Sequence, residues 1–312
     1  MSNPNDCNII FAGTPEFSVP SLRALVDLEL CPSIVMTQPD RKAGRGNKLT
    51  ESPVKIFAKS KGIPVWQPRS IIDSEFVAQL IKTNVDVIVV AAYGMIFPEE
   101  VLEIPNFGCI NIHASLLPRW RGASPIQSTI LHGDSETGVS LMRMQKELDN
   151  GPVYSQHKLR LTQSETADQL IKDLANIGAK ALKSDIDPII QGNIKPIVQD
   201  EIKATYAKKI VKRDALMDWS KSADYLSRHI RAYNSNPGAY FQFKEEMIKC
   251  WSAFSRQSDA LPGKVISACE EGIEIGCGEG SIVILELQRP GKNKITAGEF
   301  SRQINIQGFQ LS

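Results

Sequence analysis

Residues 8–17 have the sequence NIIFAGTPEF, in which an apolar run ends at Gly13. A run that is apolar on both faces is typical of a strand buried inside a parallel sheet. Further runs that are wholly or largely apolar lie at Ile34–Met36, Val85–Ala92 and Cys109–His113. Local signals predict helix starts at Thr14–Pro15 and Ser52–Pro53, and a helix end at Gly62. Strands that alternate with helices in this way indicate an α/β fold with a doubly wound parallel sheet.

The chain has 312 residues, which is enough for two domains. A helical pattern over residues 167–191 closes the first part, and Gly192 and Pro196 then interrupt a stretch without periodicity. Short apolar runs separated by Gly-rich turns follow and predict a small antiparallel β-barrel. We therefore expect a first domain over residues 1–189, a linker over 190–208 and a barrel domain over 209–312.

The composition is that of an ordinary globular protein, with 42% hydrophobic and 23% charged residues. The formal net charge is +1, so any contact with a polyanion must come from local clusters of cations. The six cysteines form no C-x-x-C pair and no Cys/His spacing of a metal site, so we expect no metal. The longest apolar run, Val87–Phe97, is too short to span a bilayer and no targeting segment is visible, so we expect a cytoplasmic protein.

Two polar residues in the fourth apolar run point to chemistry. Asn111 and His113 are two residues apart, so in a strand their side chains share one face. They also lie at the carboxyl end of a central strand, where open α/β sheets bind ligands. A structural histidine remains the alternative. The turn after the first strand lacks the second and third glycines of G-x-G-x-x-G, which disfavours a nicotinamide dinucleotide.

Residues 149–151, Asp-Asn-Gly, predict a turn when they are taken alone. Beside a histidine, however, Asp149 can orient the imidazole, and an asparagine amide can donate a hydrogen bond to an oxyanion. Such a set suits acyl transfer to an amine, because the amine itself is the nucleophile. Both interpretations stay open at this point.

Cations are dense in residues 39–48, where Arg41, Lys42, Arg45 and Lys48 face one anion, Asp40. A long basic segment with glycines that follows a strand suits a mobile loop reaching a phosphate-rich partner. A solvated surface loop is the alternative interpretation.

Seven segments along nearly the whole chain match one known pattern: Ile10–Phe17, Thr37–Arg41, Ala43–Gly46, Ser52–Lys55, Ala92–Gly94, Asn111–Ala123 and Leu148–Gly151. Through them the chain resembles the methionyl-tRNA formyltransferase family. It departs from that pattern at Asn234–Gly238, where relatives usually carry a Pro and a Trp before the last Pro-Gly. The departure concerns the entrance of the barrel.

The resemblance implies a Rossmann-like formyltransferase domain followed by an OB-like barrel that helps to hold tRNA. It implies two sets of site residues: Asn111, His113 and Asp149 for catalysis, and Ser115, Leu116, Leu117 and Pro118 for folate. Asn111 and His113 would stabilise the oxyanion, and Asp149 would orient His113 and assist proton removal. The formyl group would pass from 10-formyltetrahydrofolate to the α-amine of methionyl initiator tRNA.

The same trio occurs in enzymes that formylate glycinamide ribonucleotide or amino sugars, so the trio alone does not choose the acceptor. The basic segment, with Arg41, Lys42, Arg45 and Lys48 as expected tRNA contacts, and the barrel favour tRNA. A binding module without catalysis is disfavoured, because all three polar residues are present. We expect a monomer.

Overall fold

The computed structural model describes residues 7–43 and 48–311. These residues form two compact units. The sheet unit contains the described residues up to Gly122, Glu136–Leu159 and Ile171–Ala207, and the barrel unit contains Ala123–Ser135, Arg160–Leu170 and the described residues from Lys208 onward. The barrel unit therefore includes two short segments from the middle of the chain.

The elements are numbered in chain order. The strands are β1 (Ile9–Gly13), β2 (Ile34–Met36), β3 (Arg41–Ala43), β4 (Lys48–Thr50), β5 (Val65–Trp66), β6 (Val87–Ala91), β7 (Cys109–His113), β8 (Arg121–Gly122), β9 (Glu136–Arg143), β10 (Val153–Arg160), β11 (Tyr206–Ala207), β12 (Tyr240–Phe243), β13 (Glu246–Arg256), β14 (Val265–Cys269), β15 (Gly272–Gly276), β16 (Ser281–Gln288) and β17 (Lys294–Thr296). The α-helices are α1 (Val19–Asp27), α2 (Pro53–Ser60), α3 (Ser74–Ile81), α4 (Glu99–Leu102), α5 (Pro125–His132), α6 (Ala167–Ile190), α7 (Ala223–Tyr233) and α8 (Ala297–Gln303).

The main sheet of the sheet unit has the strand order β10-β9-β7-β6-β1-β2-β5. The five adjacent strands β5, β2, β1, β6 and β7 run parallel to one another. The strand β9 pairs with β7 in the antiparallel sense. Every residue of β1 and β6 is buried, as the continuous apolar runs predict. The predicted fold class, a Rossmann-like sheet followed by an antiparallel barrel-like domain, is confirmed.

The predicted helix start at Thr14–Pro15 is wrong. A 3₁₀ turn (Glu16–Ser18) follows Pro15, and α1 begins only at Val19. The Thr14 hydroxyl does not cap a helix but donates to the carbonyl of Tyr93 at 2.9 Å. The start at Ser52–Pro53 is correct, because the Ser52 hydroxyl accepts from the N–H of Lys55 at 3.1 Å.

The segment predicted as a linker belongs to the sheet unit up to Ala207. It pairs with β10 through a bridge between Ile197 and Val153, and its short strand β11 runs parallel to β8. Gly122 faces Ala207 there, and a Cβ on Gly122 would lie 2.6 Å from the Ala207 carbonyl oxygen. Glycine therefore permits the close approach of these two strands.

The barrel unit contains an antiparallel sheet of order β12-β13-β16-β15-β14, with β17 also paired to β16. The long strand β13 lies between β12 and β16, and its register shifts between Cys250 and Ala253 are irregularities of the kind that help a sheet to curl into a half-barrel. Its apolar core includes Trp219 packed edge-on against Phe241 at a ring distance of 5.8 Å. None of the described helices is long and apolar enough to cross a membrane.

Candidate active site

The strand β7 places Asn111 and His113 on one face of the main sheet. The alternate residue Ile112 faces α6, where a Cβ on Gly178 would lie 2.8 Å from the Ile112 side chain. Asn111 and His113 therefore project to the opposite face, at the carboxyl end of the strand. The structure thus confirms the shared face that the two-residue spacing predicts.

Asp149 completes the polar cluster. Its Oδ1 accepts a long hydrogen bond from Asn111 Nδ2 at 3.4 Å, and its Oδ2 lies 3.6 Å from His113 Nδ1. The backbone N–H of Gly122 donates to the same Oδ2 at 2.8 Å. Asp149 has a φ of +53°, a left-handed conformation that aspartate tolerates better than most residues. The structure therefore brings together the three residues predicted for catalysis.

The residue with the left-handed backbone in the Asp-Asn-Gly segment is Asp149 and not the glycine. Gly151 is required for a different reason. A Cβ at Gly151 would lie 1.9 Å from the carbonyl oxygen of Arg143, so a larger residue would push the segment away from β9. The chain turns at Leu148 and Asp149, Gly151 lies in a bend, and this glycine permits a close approach of backbones.

The hydrogen bonds of His113 fix which ring nitrogen carries the hydrogen. Nε2 lies 3.1 Å from the carbonyl oxygen of Trp120, which can only accept, so Nε2 carries the hydrogen. In the neutral ring, Nδ1 then presents its lone pair towards Asp149. His113 is only 6% exposed, so water competes little for these contacts. Trp120 itself has a φ of +62°, a strained backbone that aims its carbonyl at the imidazole.

The loop Ser115–Pro118, predicted to bind folate, follows β7 and is held by two polar side chains from the neighbouring strands. Ser140 on β9 accepts from the N–H of Leu117 at 3.1 Å and donates to the Ser115 carbonyl at 2.7 Å. Gln156 on β10 donates to the Leu117 carbonyl at 2.7 Å. Leu116 and Pro118 remain half-buried on this fixed loop.

Loops from three other strands meet at the same carboxyl edge of the sheet. The Thr14 hydroxyl after β1 donates to the Tyr93 carbonyl after β6 and accepts from the N–H of Gln38 after β2 at 3.3 Å. The side-chain amide of Gln38 donates through Nε2 to the carbonyl of Gly94 at 2.9 Å. This is the edge at which open parallel sheets bind ligands. Within residues 7–43 and 48–311, no group of three or more His, Cys, Asp or Glu side chains is arranged to hold a metal ion.

The residues predicted to contact tRNA are Arg41, Lys42, Arg45 and Lys48. Arg41, Lys42 and Lys48 are exposed on the paired antiparallel strands β3 and β4, in the segment where the sequence predicts a mobile loop. No hydrogen bond or ion pair of the described residues joins these three cations to the trio. Arg45 lies outside the described residues.

Sequence reasoning missed a linked group of three polar residues, Arg121, Gln199 and Glu201, of which Gln199 contacts Asp149. Arg121 is 1% exposed and Gln199 is 7% exposed, and the Arg121 guanidinium donates to both Gln199 and Glu201. Hydrophobic periodicity carries no signal for them, because Arg121 lies in a two-residue strand, Gln199 in an irregular segment and Glu201 in a short 3₁₀ turn. The buried arginine could be suspected only from its place beside Gly122 in the matched segment.

Comparison with known proteins gives consistent matches over both units. Residues 8–186 match the family model described as formyl transferase, and residues 209–305 match the model described as formyl transferase, C-terminal domain. A protein of Methylococcus capsulatus named methionyl-tRNA formyltransferase is 45% identical over 305 residues, which are 97% of this chain and 99% of that protein.

Two solved structures share the fold at low sequence identity. The sugar 3N-formyl transferase WlaRD, solved in the presence of dTDP and 5-N-formyl-THF, is 20% identical with a TM-score of 0.68, covering 92% of this chain and 99% of that one. HypX from Aquifex aeolicus, solved in complex with tetrahydrofolic acid, is 18% identical with a TM-score of 0.62. That match covers 96% of this chain and 47% of HypX, so the chain spans about half of that protein's length.

Proposed function

The chain belongs to the formyl transferase family, and from that membership we propose that it transfers a formyl group from 10-formyltetrahydrofolate to the α-amine of methionyl initiator tRNA. The observation that supports methionyl-tRNA as the acceptor is the 45% identity, over 97% of the chain, to a methionyl-tRNA formyltransferase. An acceptor of the sugar type has weaker support, because the sugar-formylating structure is only 20% identical and shares the fold alone.

The trio supplies a proton acceptor for the attacking amine. An amine attacks a formyl carbon only in its neutral form, and it must lose a further proton as the new C–N bond forms. Nδ1 of His113 and Oδ2 of Asp149 lie 3.6 Å apart and both can accept a proton at this point. We assign proton removal to this pair, with Asp149 orienting and supporting the imidazolium that results.

Asn111 has the geometry to stabilise the negative charge that develops on the formyl oxygen. Its Nδ2 carries two hydrogens, and the bond to Asp149 at 3.4 Å uses one of them. The second hydrogen is available to an oxyanion on the same face of the sheet, and a protonated His113 adds positive charge beside it. The tetrahedral intermediate then collapses with breakage of the bond between the formyl carbon and N10, which takes up a proton.

The loop Ser115–Pro118 fits a folate co-substrate. Folate has a flat ring system with apolar faces and polar edges, and Leu116 and Pro118 offer half-buried apolar surfaces on a backbone fixed by Ser140 and Gln156. When bound, the co-substrate supplies the activated formyl group. The role of the protein is to hold that group beside His113, two residues before the loop.

The cations of the β3–β4 hairpin support a tRNA acceptor. Arg41, Lys42 and Lys48 are exposed, so they can neutralise phosphates without disturbing the fold. We assign the same role to Arg45, which the sequence places between Gly44 and Gly46. Residues 1–189 then form the catalytic domain and residues 209–312 the tRNA-binding domain, joined by the segment 190–208.

The direct test is incubation of the purified protein with 10-formyltetrahydrofolate and each of three acceptors: methionyl initiator tRNA, glycinamide ribonucleotide and a nucleotide-linked amino sugar. We expect N-formylmethionine on the tRNA and no product from the small amines. The inactive control is His113→Ala, and the matched control is His132→Ala at an exposed histidine of α5. Formylation of a small amine in preference to the tRNA would contradict the proposal.

A further inference from the structure

Gln199 lies in the irregular segment after α6, yet its side chain reaches the backbone on both sides of Asn150. Its Nε2 donates to the carbonyl of Asp149 at 2.8 Å and to the carbonyl of Gly151 at 2.7 Å. One amide group thus uses both of its hydrogens on the two carbonyls that flank Asn150. The side chain is buried, so solvent cannot replace these bonds when they are lost.

The orientation of the Gln199 amide is itself fixed. Its Oε1 accepts from Nε of Arg121 at 3.0 Å. The two terminal nitrogens of the same guanidinium donate to the two carboxylate oxygens of Glu201 at 2.9 and 2.7 Å, a bidentate pair. Because the guanidinium can only donate, it faces the oxygen of the amide and leaves the Nε2 hydrogens to the two carbonyls.

These contacts bear directly on the position of the Asp149 carboxylate. Arg121 precedes Gly122, whose N–H donates to Asp149 Oδ2, so the backbone and the side chain of Asp149 are held by the same group of neighbours. The left-handed φ of +53° at Asp149 is a conformation that must be held in place by such contacts. The chemistry described for the trio requires Oδ2 to stay beside His113.

We propose that Gln199 is a positioning residue for the reaction: it fixes the Asp149–Gly151 backbone and through it the placement of the Asp149 carboxylate against His113. This inference rests on the proposed function, because it assigns Asp149 to proton removal. Gln199 lies in the segment 190–208, so a residue of this segment influences the reaction. Gln199 itself does not touch the reacting atoms.

The first test replaces Gln199 by methionine, which keeps the length of the side chain and removes its donors and its acceptor. We expect kcat to fall about 10- to 100-fold, because a small displacement of a reacting group has effects of this size. The KM values for methionyl-tRNA and for 10-formyltetrahydrofolate should stay within about twofold, since among the described residues Gln199 bonds Arg121, Asp149 and Gly151 and not the loop Ser115–Pro118 or the strands β3 and β4. The matched control, Gln191→Met, makes the same change at an exposed glutamine that bonds Asn193, and it should behave as the wild type.

The second variant, Gln199→Glu, keeps an oxygen for Arg121 and removes both hydrogens from the carbonyls. It should lose kcat to a similar extent, which separates the loss of the two donors from the loss of the arginine contact. Full kcat in either folded variant would overturn the proposal, as would a loss that follows only the unfolded fraction or KM. Failure of both variants to fold would assign Gln199 a purely structural role and would also overturn it.

A readout that does not depend on activity separates this inference from the proposed function. The ¹⁵N resonances of the His113 ring, identified by comparison with His113→Ala, report its tautomer and its contact with Asp149. They should shift in Gln199→Met and stay unchanged in Gln191→Met. If the wild type formylates no tRNA, the proposed function fails while this comparison still decides whether Gln199 positions Asp149. Unchanged His113 resonances in the folded methionine variant would overturn the proposal.

Discussion

The core of the barrel unit contains a histidine whose burial predicts an acid-sensitive fold. His229 on α7 is 4% exposed, and its ring contacts the ring of Tyr233 at 4.6 Å. Within the described residues neither ring nitrogen has a hydrogen-bond partner by geometry. Burial lowers the pKa of His229 from 6.5 to about 4, while the nearby backbone of Ala215 and the carboxylates of Asp214 and Asp218 act in the opposite direction.

The direction in which pH changes the free energy of unfolding follows from which state of the chain binds the proton. In the unfolded chain His229 takes up a proton near pH 6.5, whereas in the folded protein it does so only near pH 4. The unfolded state therefore binds more protons between these values, and the free energy of unfolding falls as the pH is lowered through this window. The loss amounts to about 3 kcal/mol in total, of which about 2 kcal/mol falls between pH 7 and pH 5.

The experiment compares the wild type with His229→Phe by urea unfolding at pH 5, 6, 7 and 8, followed by tryptophan fluorescence because Trp219 lies in the same core. The phenyl ring keeps an aromatic group against Tyr233 and cannot be protonated. The difference in unfolding free energy between the two proteins should change by about 2 kcal/mol from pH 7 to pH 5 in favour of the variant. Parallel curves, or an NMR titration of folded His229 with a midpoint near 6.5, would refute the reasoning.

Three further predictions concern the site. His113→Ala should lower kcat about 10²- to 10³-fold while the protein stays folded, and near-normal turnover of the folded variant in the tRNA assay would remove His113 from the mechanism. Asp149→Asn keeps a residue that tolerates a left-handed backbone and removes the charge, so kcat should fall sharply with the KM for folate unchanged; activity lost only in proportion to folded protein would leave the plain turn interpretation. Arg45→Ala should weaken tRNA binding, make it less dependent on salt and leave folate binding unchanged; identical tRNA curves across a salt series would exclude this role.

Much of the sheet could be predicted because it depends on local patterns. The runs at Ile34–Met36 and Cys109–His113 coincide with β2 and β7 residue for residue, since strands in the middle of a parallel sheet are largely apolar. The strand β9 was not predicted, although it supplies Ser140 to the loop after β7. The helix start at Thr14 failed for a non-local reason, because the carbonyl that its hydroxyl binds lies 79 residues away.

The site was predictable in its residue types but not in its arrangement. A spacing of two predicts that Asn111 and His113 share a face, and the resemblance adds Asp149. The groups that fix these side chains are a carbonyl at Trp120, an N–H at Gly122 and the amide of Gln199. Two of them are backbone groups that nearly every residue carries, and the third lies 50 residues beyond Asp149, so no local pattern marks any of them.

The contact between His113 and Trp120 has a consequence for the energetics of the proposed reaction. Because Nε2 faces the Trp120 carbonyl, Nδ1 is the ring nitrogen that lies 3.6 Å from Asp149 Oδ2. A proton that the attacking amine releases to Nδ1 gives an imidazolium that pairs with Asp149 beside the new bond. An interaction that forms only as the amine loses its proton stabilises the transition state more than the bound substrates, so it raises kcat without tightening KM. Replacements of His113, Asp149 and Gln199 should therefore share one kinetic signature, a fall in kcat at nearly constant KM.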